Sequence, residues 1–246
     1  MKFSNLVCAA ALALAGTAAS AQESLSVGVT TTGVPFTFID TSTQDPTGAM
    51  VDLAAAIAED IGRTPEFEVM QFSGLIQGLK IGRIDLISAG MFATDTRKEV
   101  VDFSQTVYSY GDAMFVAADD ETEYAIDDLE GEVVGAQIGT TFADQLQAMG
   151  TFSEVKLYDS LVDIMRDVQL GRIKAGFGDK PIIGYQIAQN PQLGVRLVEG
   201  YEPMGMGQVA LAVSKENPEL LEQVNASISE MKESGELEDI FGKYGL

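Results

Sequence analysis

The chain contains no histidine and one cysteine, Cys8, in 246 residues. Without histidine, the common zinc centres and the Ser-His-Asp triad are excluded. Basic residues are also scarce, 15 Lys and Arg against 37 Asp and Glu, for a net charge of −22. A surface this poor in cations gives phosphate backbones nothing to bind, so nucleic acid is not an expected partner. The acid excess reads first as a solvated surface that keeps the chain soluble. Long apolar runs are missing too: none approaches the ~20 residues that a membrane span needs. There is no low-complexity tract and no short-period repeat.

What is present begins with Met1-Lys2, a mostly apolar run from Leu6 to Ala15, and the small-residue tripeptide Ala19-Ser20-Ala21. A basic start, a short apolar stretch and an A-x-A site predict a secretory signal cut after Ala21. The apolar run is too short for an anchor. A lipoprotein reading of Cys8 fails because Val7, not a small residue, precedes it. Cleavage would leave residues 22–246, 225 in all, and removing Lys2 takes the net charge from −22 to −23. It also removes the one thiol, so the exported product has neither a disulfide nor a thiolate metal site. It must bury a core without covalent staples, which its length permits.

Periodicity then alternates between two and 3.6. Leu25, Val27 and Val29 predict a strand, Asp40–Gly48 a hairpin or loop, and Val51–Ile61 a helix stopped by Gly62. Phe67 and Val69 mark a strand, Ser73 a helix cap, Ile84–Ile87 a strand, Thr94 an N-cap, and Val101–Ser104 a short strand. Tyr108–Gly111 reads as a linker. The rhythm restarts with a strand at Val133–Gln137, a helix over Phe142–Met149, a strand at Val155–Leu157 and a helix capped by Ser160. A strand at Ala175–Phe177 and a helix opened by Pro181 follow. Gly205–Gln208 reads as a second linker, Val209–Val213 as a strand, and Pro218–Lys232 and Leu237–Phe241 as helices. Two β-α-β series of this kind predict an α/β chain of two similar lobes, each a mostly parallel sheet flanked by helices.

The block Gln71–Ser104, with Gly48–Leu53, Leu129–Gly131, Gly139–Thr141, Gly171–Ile173 and Glu233–Leu237, resembles family 3 of the bacterial extracellular solute-binding proteins. These are the polar amino acid binders of ABC uptake systems. The resemblance covers nearly the whole exported chain. It implies a type II periplasmic-binding-protein fold with two hinge strands, near 107–111 and 205–209. Lobe I would hold residues 22–107 completed by 209–246, and lobe II residues 108–208. It further implies a periplasmic monomer that closes on a small zwitterion and passes it to an inner-membrane permease, with no cofactor.

Site residues follow from the same resemblance. Arg97 would fork onto the ligand carboxylate, as a planar guanidinium does well. The competing reading is a surface arginine in the charged run with Lys98 and Glu99. Gly90 would bring backbone to the ligand. Thr140 and Thr141 would meet the carboxylate at a helix N-terminus, or simply cap that helix. Asp179 would take the ammonium, or cap the helix opened by Pro181. Gln137 would sense the side chain. Phe36 and Phe72 would sandwich the ligand unless they are core residues. Phe92 departs from the family, which usually has Ser or Thr there; with the other rings and Arg97 it resembles the box of ectoine-binding relatives. Thr30 departs as well, standing where many relatives carry an acid. Met50 and Lys174 replace frequent aspartates, outside the expected site. Fewer acids favour a neutral or cyclic zwitterion over lysine or arginine. The alternatives are a cyclohexadienyl-dehydratase-like enzyme on this fold, for which Asp179 is the one acid available, and a sensory ligand-binding protein acting with a separate partner.

Overall fold

The computed structural model describes residues 23–246; the predicted signal, with Cys8, lies outside them. Strand β1 (Ser24–Val29) carries Leu25, Val27 and Val29 inward at 0% exposure. A small hairpin, β2 (Phe38–Ile39) and β3 (Pro46–Thr47), leads into α1 (Ala49–Asp60), whose Leu53 and Ile57 are fully buried. Then come β4 (Thr64–Val69), α2 (Leu75–Lys80), β5 (Leu86–Ile87), the single turn α3 (Asp95–Lys98) and β6 (Asp102–Phe103). A ten-residue strand, β7 (Tyr108–Ala117), follows.

The second series is β8 (Val133–Gln137), α4 (Thr141–Met149), β9 (Glu154–Tyr158), α5 (Leu161–Gln169), β10 (Ala175–Asp179), α6 (Lys180–Gln189) and β11 (Val195–Leu197). The chain ends with β12 (Met206–Val209), β13 (Ala212–Val213), α7 (Pro218–Ser234) and α8 (Glu236–Gly242).

Two mixed sheets result. The first has the order β4-β1-β5-β13-β6, with β4 and β5 parallel to β1 and the late strand β13 antiparallel to both neighbours. Helices α1, α7 and α8 cover one face of it through Leu53, Val224, Ile228 and Phe241; α2 covers the other through Leu75 and Leu79. The second sheet has the order β11-β7-β10-β8-β9, with β8 parallel to β9 and β10, and β7 antiparallel to β10 and β11. Its faces are covered by α4 and by α5 with α6. The molecule is thus the α/β two-lobe architecture expected, and β7 and β12, paired antiparallel, run between the lobes.

Several local expectations change. Tyr108–Gly111 is the first part of the continuous strand β7, and Met206–Val209 is its partner, so both supposed linkers are paired backbone. Ser73 caps nothing; it lies in a 3-10 turn before α2, whose N-cap is Gly74. The predicted strand Val209–Val213 is broken in two, because Ala210 N–H turns to the Met91 carbonyl and Leu211 N–H to the Ser104 hydroxyl. Thr94 and Ser160 do cap α3 and α5, accepting from Arg97 N–H and Asp163 N–H.

Candidate functional site

A cavity opens between the lobes where the strands of both sheets end, as ligand crevices in α/β sheets do. From the first lobe come Thr30, Thr32, Gly33 and Phe36 after β1, Phe72 after β4, and Ala89, Gly90, Phe92 and Arg97 after β5. The second lobe adds Gln137 at the end of β8, Thr140, Thr141 and Phe142 after it, Leu161 after β9, Asp179 at the end of β10 and Ile182 in α6; Tyr110 enters from β7. The space within it is about 30 Å³, on the scale of one or two waters.

All nine residues singled out from sequence line this cavity: Phe36, Phe72, Gly90, Phe92, Arg97, Gln137, Thr140, Thr141 and Asp179. Arg97 is not part of a surface ion-pair run. Lys98 turns outward to Asp95 at 3.3 Å, whereas Arg97 pairs with no carboxylate among the described residues. Its Nη1 donates to the Phe92 carbonyl (2.8 Å) and its Nη2 crosses the cleft to the Gly139 carbonyl (2.9 Å), with the Phe72 ring 5.6 Å from Cζ. A guanidinium has five N–H donors, so donors remain for an anion. Burial lowers its pKa, opposed by Asp144 and Asp179, but an arginine stays charged under such pressure. A half-buried cation whose hydrogen bonds go only to carbonyls is an incomplete arrangement, since buried charges are ordinarily paired.

Asp179 supplies the opposite charge. It occupies the N-cap position of α6, yet its side chain makes no capping bond. The carboxylate turns instead to the Tyr110 hydroxyl, 2.5 Å from Oδ1. Burial raises its pKa to about 6, partly offset by the Tyr110 bond and by Arg97. The helix-capping expectation for Asp179 is thus displaced by a contact inside the cleft. For Thr140 capping holds: its hydroxyl accepts from Ala143 N–H at 3.3 Å and donates to the Gln137 carbonyl at 2.7 Å. The Gln137 amide donates to the Asp159 carbonyl, so it stands at the rim with a bond of its own.

The rings divide their work. Phe36 is 1% exposed and packs against Tyr108, Tyr110 and Phe241, so it is a core residue whose face also bounds the cavity. Phe92 lies 4.8 Å from Tyr110 and edge-on to Phe142 at 5.7 Å, closing the back of the cleft. Thr30 binds Thr37, hydroxyl to hydroxyl at 2.7 Å, in a buried pair. Met50 is a fully buried core residue of α1 and Lys174 pairs with Asp120 at 2.7 Å; neither lines the cavity. Gly90 and Gly139 adopt φ of +67° and +81°, a region open mainly to glycine. A Cβ at Gly139 would also come within 3.0 Å of Ser73 Cα across the cleft.

Sequence reasoning missed Tyr110 and Phe142. Tyr110 stood in the supposed linker, although Tyr108, Tyr110 and Asp112 alternate as one face of a strand does. Phe142 read as an ordinary apolar position of α4.

Residues 25–246 match the family model described as bacterial extracellular solute-binding proteins, family 3. The chain is 31% identical over 237 residues to ABC transporter arginine-binding protein 1 of Escherichia coli (strain K12), covering 96% of each. Among solved structures it resembles an ancestral arginine-binding protein bound to arginine, with a TM-score of 0.85 and 34% identity over 92% of this chain and 99% of that one. An ancestral arginine-binding protein bound to glutamine gives a TM-score of 0.83 and 35% identity over 91% and 98%.

Proposed function

We propose that this chain, which belongs to the bacterial extracellular solute-binding proteins of family 3, captures an amino acid between its lobes and delivers it to an ABC-type membrane permease. One observation carries the reading. Among the described residues, Arg97 and Asp179 are the only charged ones that line the cavity, they are of opposite sign, and the guanidinium has no carboxylate partner there. That is the charge complement of a zwitterion. Arg97 takes the carboxylate, Asp179 and the Gly90 backbone the ammonium, and Thr141 with the first turn of α4 faces the carboxylate from the second lobe. Phe36, Phe72 and Phe92 wall the ligand, and Gln137 and Thr140 shape its rim.

The relatives named for arginine do not fix the ligand here. A guanidinium side chain would call for a second carboxylate, and no other acid lines the cavity. Thr32, Leu161 and Ile182 suit an uncharged side chain instead. The relatives are binding proteins, and this chain is one too, not an enzyme. Lobe I is assigned to residues 22–107 with 209–246 and lobe II to 108–208. Removal of residues 1–21 would release a monomer outside the cytoplasmic membrane.

Isothermal titration against the amino acids and a set of compatible solutes tests the function. At least one neutral zwitterion is expected to bind the wild type, and Arg97→Ala to lose that binding by about 100-fold or more, the scale of a charge-assisted fork. If no zwitterion binds, the functional reading fails; unchanged affinity in Arg97→Ala defeats the site assignment alone.

A further inference from the structure

Three oxygens converge on one hydrogen in the cleft. The Tyr110 hydroxyl lies 2.5 Å from Asp179 Oδ1 and 3.3 Å from the Gly90 carbonyl. A phenol has a single proton to donate, and it can satisfy only one of the two acceptors. The site therefore holds a carboxylate, a carbonyl and a phenol oxygen, each with an unused lone pair, and is short of donors. Burial and the neighbouring carboxylate raise the Tyr110 pKa well above its usual range, so the hydroxyl keeps its proton.

Tyr110 is held firmly enough to set a geometry. It is 6% exposed, its backbone lies in the paired strand β7, and its ring is flanked by Phe36 at 5.6 Å and Phe92 at 4.8 Å. Phe92 has no oxygen to offer beyond its carbonyl, which Arg97 already uses. The side-chain oxygen beside Asp179 is thus the one that β7 brings in.

We propose that Tyr110 is the specificity-determining residue of the amine subsite: its phenol oxygen completes, with Asp179 and the Gly90 carbonyl, a three-acceptor seat for a primary ammonium. The inference rests on the zwitterion reading above and sharpens it. An –NH3+ group brings three N–H donors, one for each oxygen, while the Tyr110 hydroxyl goes on donating its proton to Asp179. A trimethylammonium brings none and leaves all three oxygens unsatisfied in a desolvated site, which is the costly outcome for buried acceptors. The ligand class is therefore primary α-amino acids, and N-methylated or betaine-type zwitterions are rejected despite the surrounding rings.

The test uses the full chain, wild type and Tyr110→Phe, with the nineteen standard amino acids that carry a primary amine and their Nα-trimethyl betaines as probes. Thermal shift screens them and isothermal titration measures those that bind. At least one amino acid should bind the wild type, and its betaine about 100-fold more weakly or not at all. Tyr110→Phe should weaken that amino acid by about 10- to 100-fold, the range for a lost hydrogen bond to a charged group. It should leave the betaine's affinity unchanged, so the discrimination collapses. The wild-type comparison stands even if Tyr110→Phe folds poorly. A betaine that binds as tightly as its parent overturns the inference, as does a Tyr110→Phe loss that is equal for both; either leaves the zwitterion site intact. No binding of any probe to the wild type overturns the inference; it defeats the zwitterion reading as well only when the compatible solutes also fail to bind.

Discussion

Replacing Gly207 with alanine should destabilise the protein through one residue, Phe92. Gly207 lies on β12, and the Phe92 ring covers it so closely that a Cβ there would come within 2.1 Å of Cε2, 2.2 Å of Cζ and 2.3 Å of Cδ2. Other rings limit its retreat. Tyr110 stands 4.8 Å away and Phe142 5.7 Å away, and Phe92 is itself 8% exposed and bridged by backbone to Val209. Forcing a methyl group into such packing costs about 1–3 kcal/mol. For a chain of this length each kcal/mol lowers Tm by about 2–4 °C, so Gly207→Ala should melt roughly 2–12 °C below wild type. Thermal unfolding of Gly207→Ala, Phe92→Leu and the double variant measures this. Phe92→Leu removes the clash, so the two losses should fall short of adding by about 1 kcal/mol or more, as for residues in contact. A Tm within about 1 °C of wild type for Gly207→Ala, or strict additivity in the cycle, would refute the claim that the back wall is packed this tightly.

Other expectations concern charge. Asp179 has a pKa of about 6 in the fold against an ordinary 3.8, so its ionisation lowers stability as pH rises through that window, and the loss is complete at pH 7. Ligand-free Asp179→Asn should therefore melt above wild type at pH 7, with the difference shrinking toward pH 4, as calorimetry at the two pH values will show. An amino acid whose ammonium meets Asp179 favours the ionised carboxylate, so affinity should fall as pH drops below about 6, and titration near pH 5.5 in buffers of different ionisation enthalpy should detect proton release. Asp112 accepts from the Tyr201 hydroxyl (2.5 Å) and Met204 N–H (2.8 Å) at 1% exposure. Asp112→Ala strands both donors and should cost about 2–3 kcal/mol in denaturant unfolding, whereas Asp112→Asn should cost less.

Much of this molecule is legible locally. Thr94 and Ser160 announce α3 and α5 because a cap is a contact between near neighbours, and the alternation of Leu25, Val27 and Val29 names β1 because one face is buried. Ser73 misled because a hydroxyl ahead of an apolar stretch looks the same whether or not a 3-10 turn intervenes. What the local pattern could not give is pairing across distance. Residues 206–209 are strand only because 108–111 lie beside them, and β13 enters the first sheet between β5 and β6 from more than a hundred residues away. The nine proposed cleft residues came from matching a family signature, and they do line one cavity. Tyr110 reads locally as linker and Phe142 as an ordinary apolar helix position, and it is the pairing of β7 and the closeness of both rings to Phe92 that bring them to the cleft.

Strand β7 explains why one overlooked tyrosine matters. Alternate residues of a strand point the same way, and on β7 three of them make three different attachments. Tyr108 stacks on Phe241 of α8, with ring centres 5.1 Å apart and planes 7° apart, and so grips the first lobe. Tyr110 faces the cleft and bonds Asp179. Asp112 holds the loop at Tyr201 and Met204 in the second lobe. With β12 paired alongside, any separation of the lobes has to bend the backbone that carries these three side chains. Tyr110 sits at the middle of that lever. Its bond to Asp179 ties the hinge to the second lobe, and its approach to the Gly90 carbonyl ties it to the first. An ammonium seated among these oxygens would contact both lobes and the hinge at once. For a ligand with a primary ammonium, recognition of the amine and retention of the closed form are then the same set of contacts, so Tyr110→Phe should weaken both together, whereas a ligand without N–H donors gains nothing from them to lose.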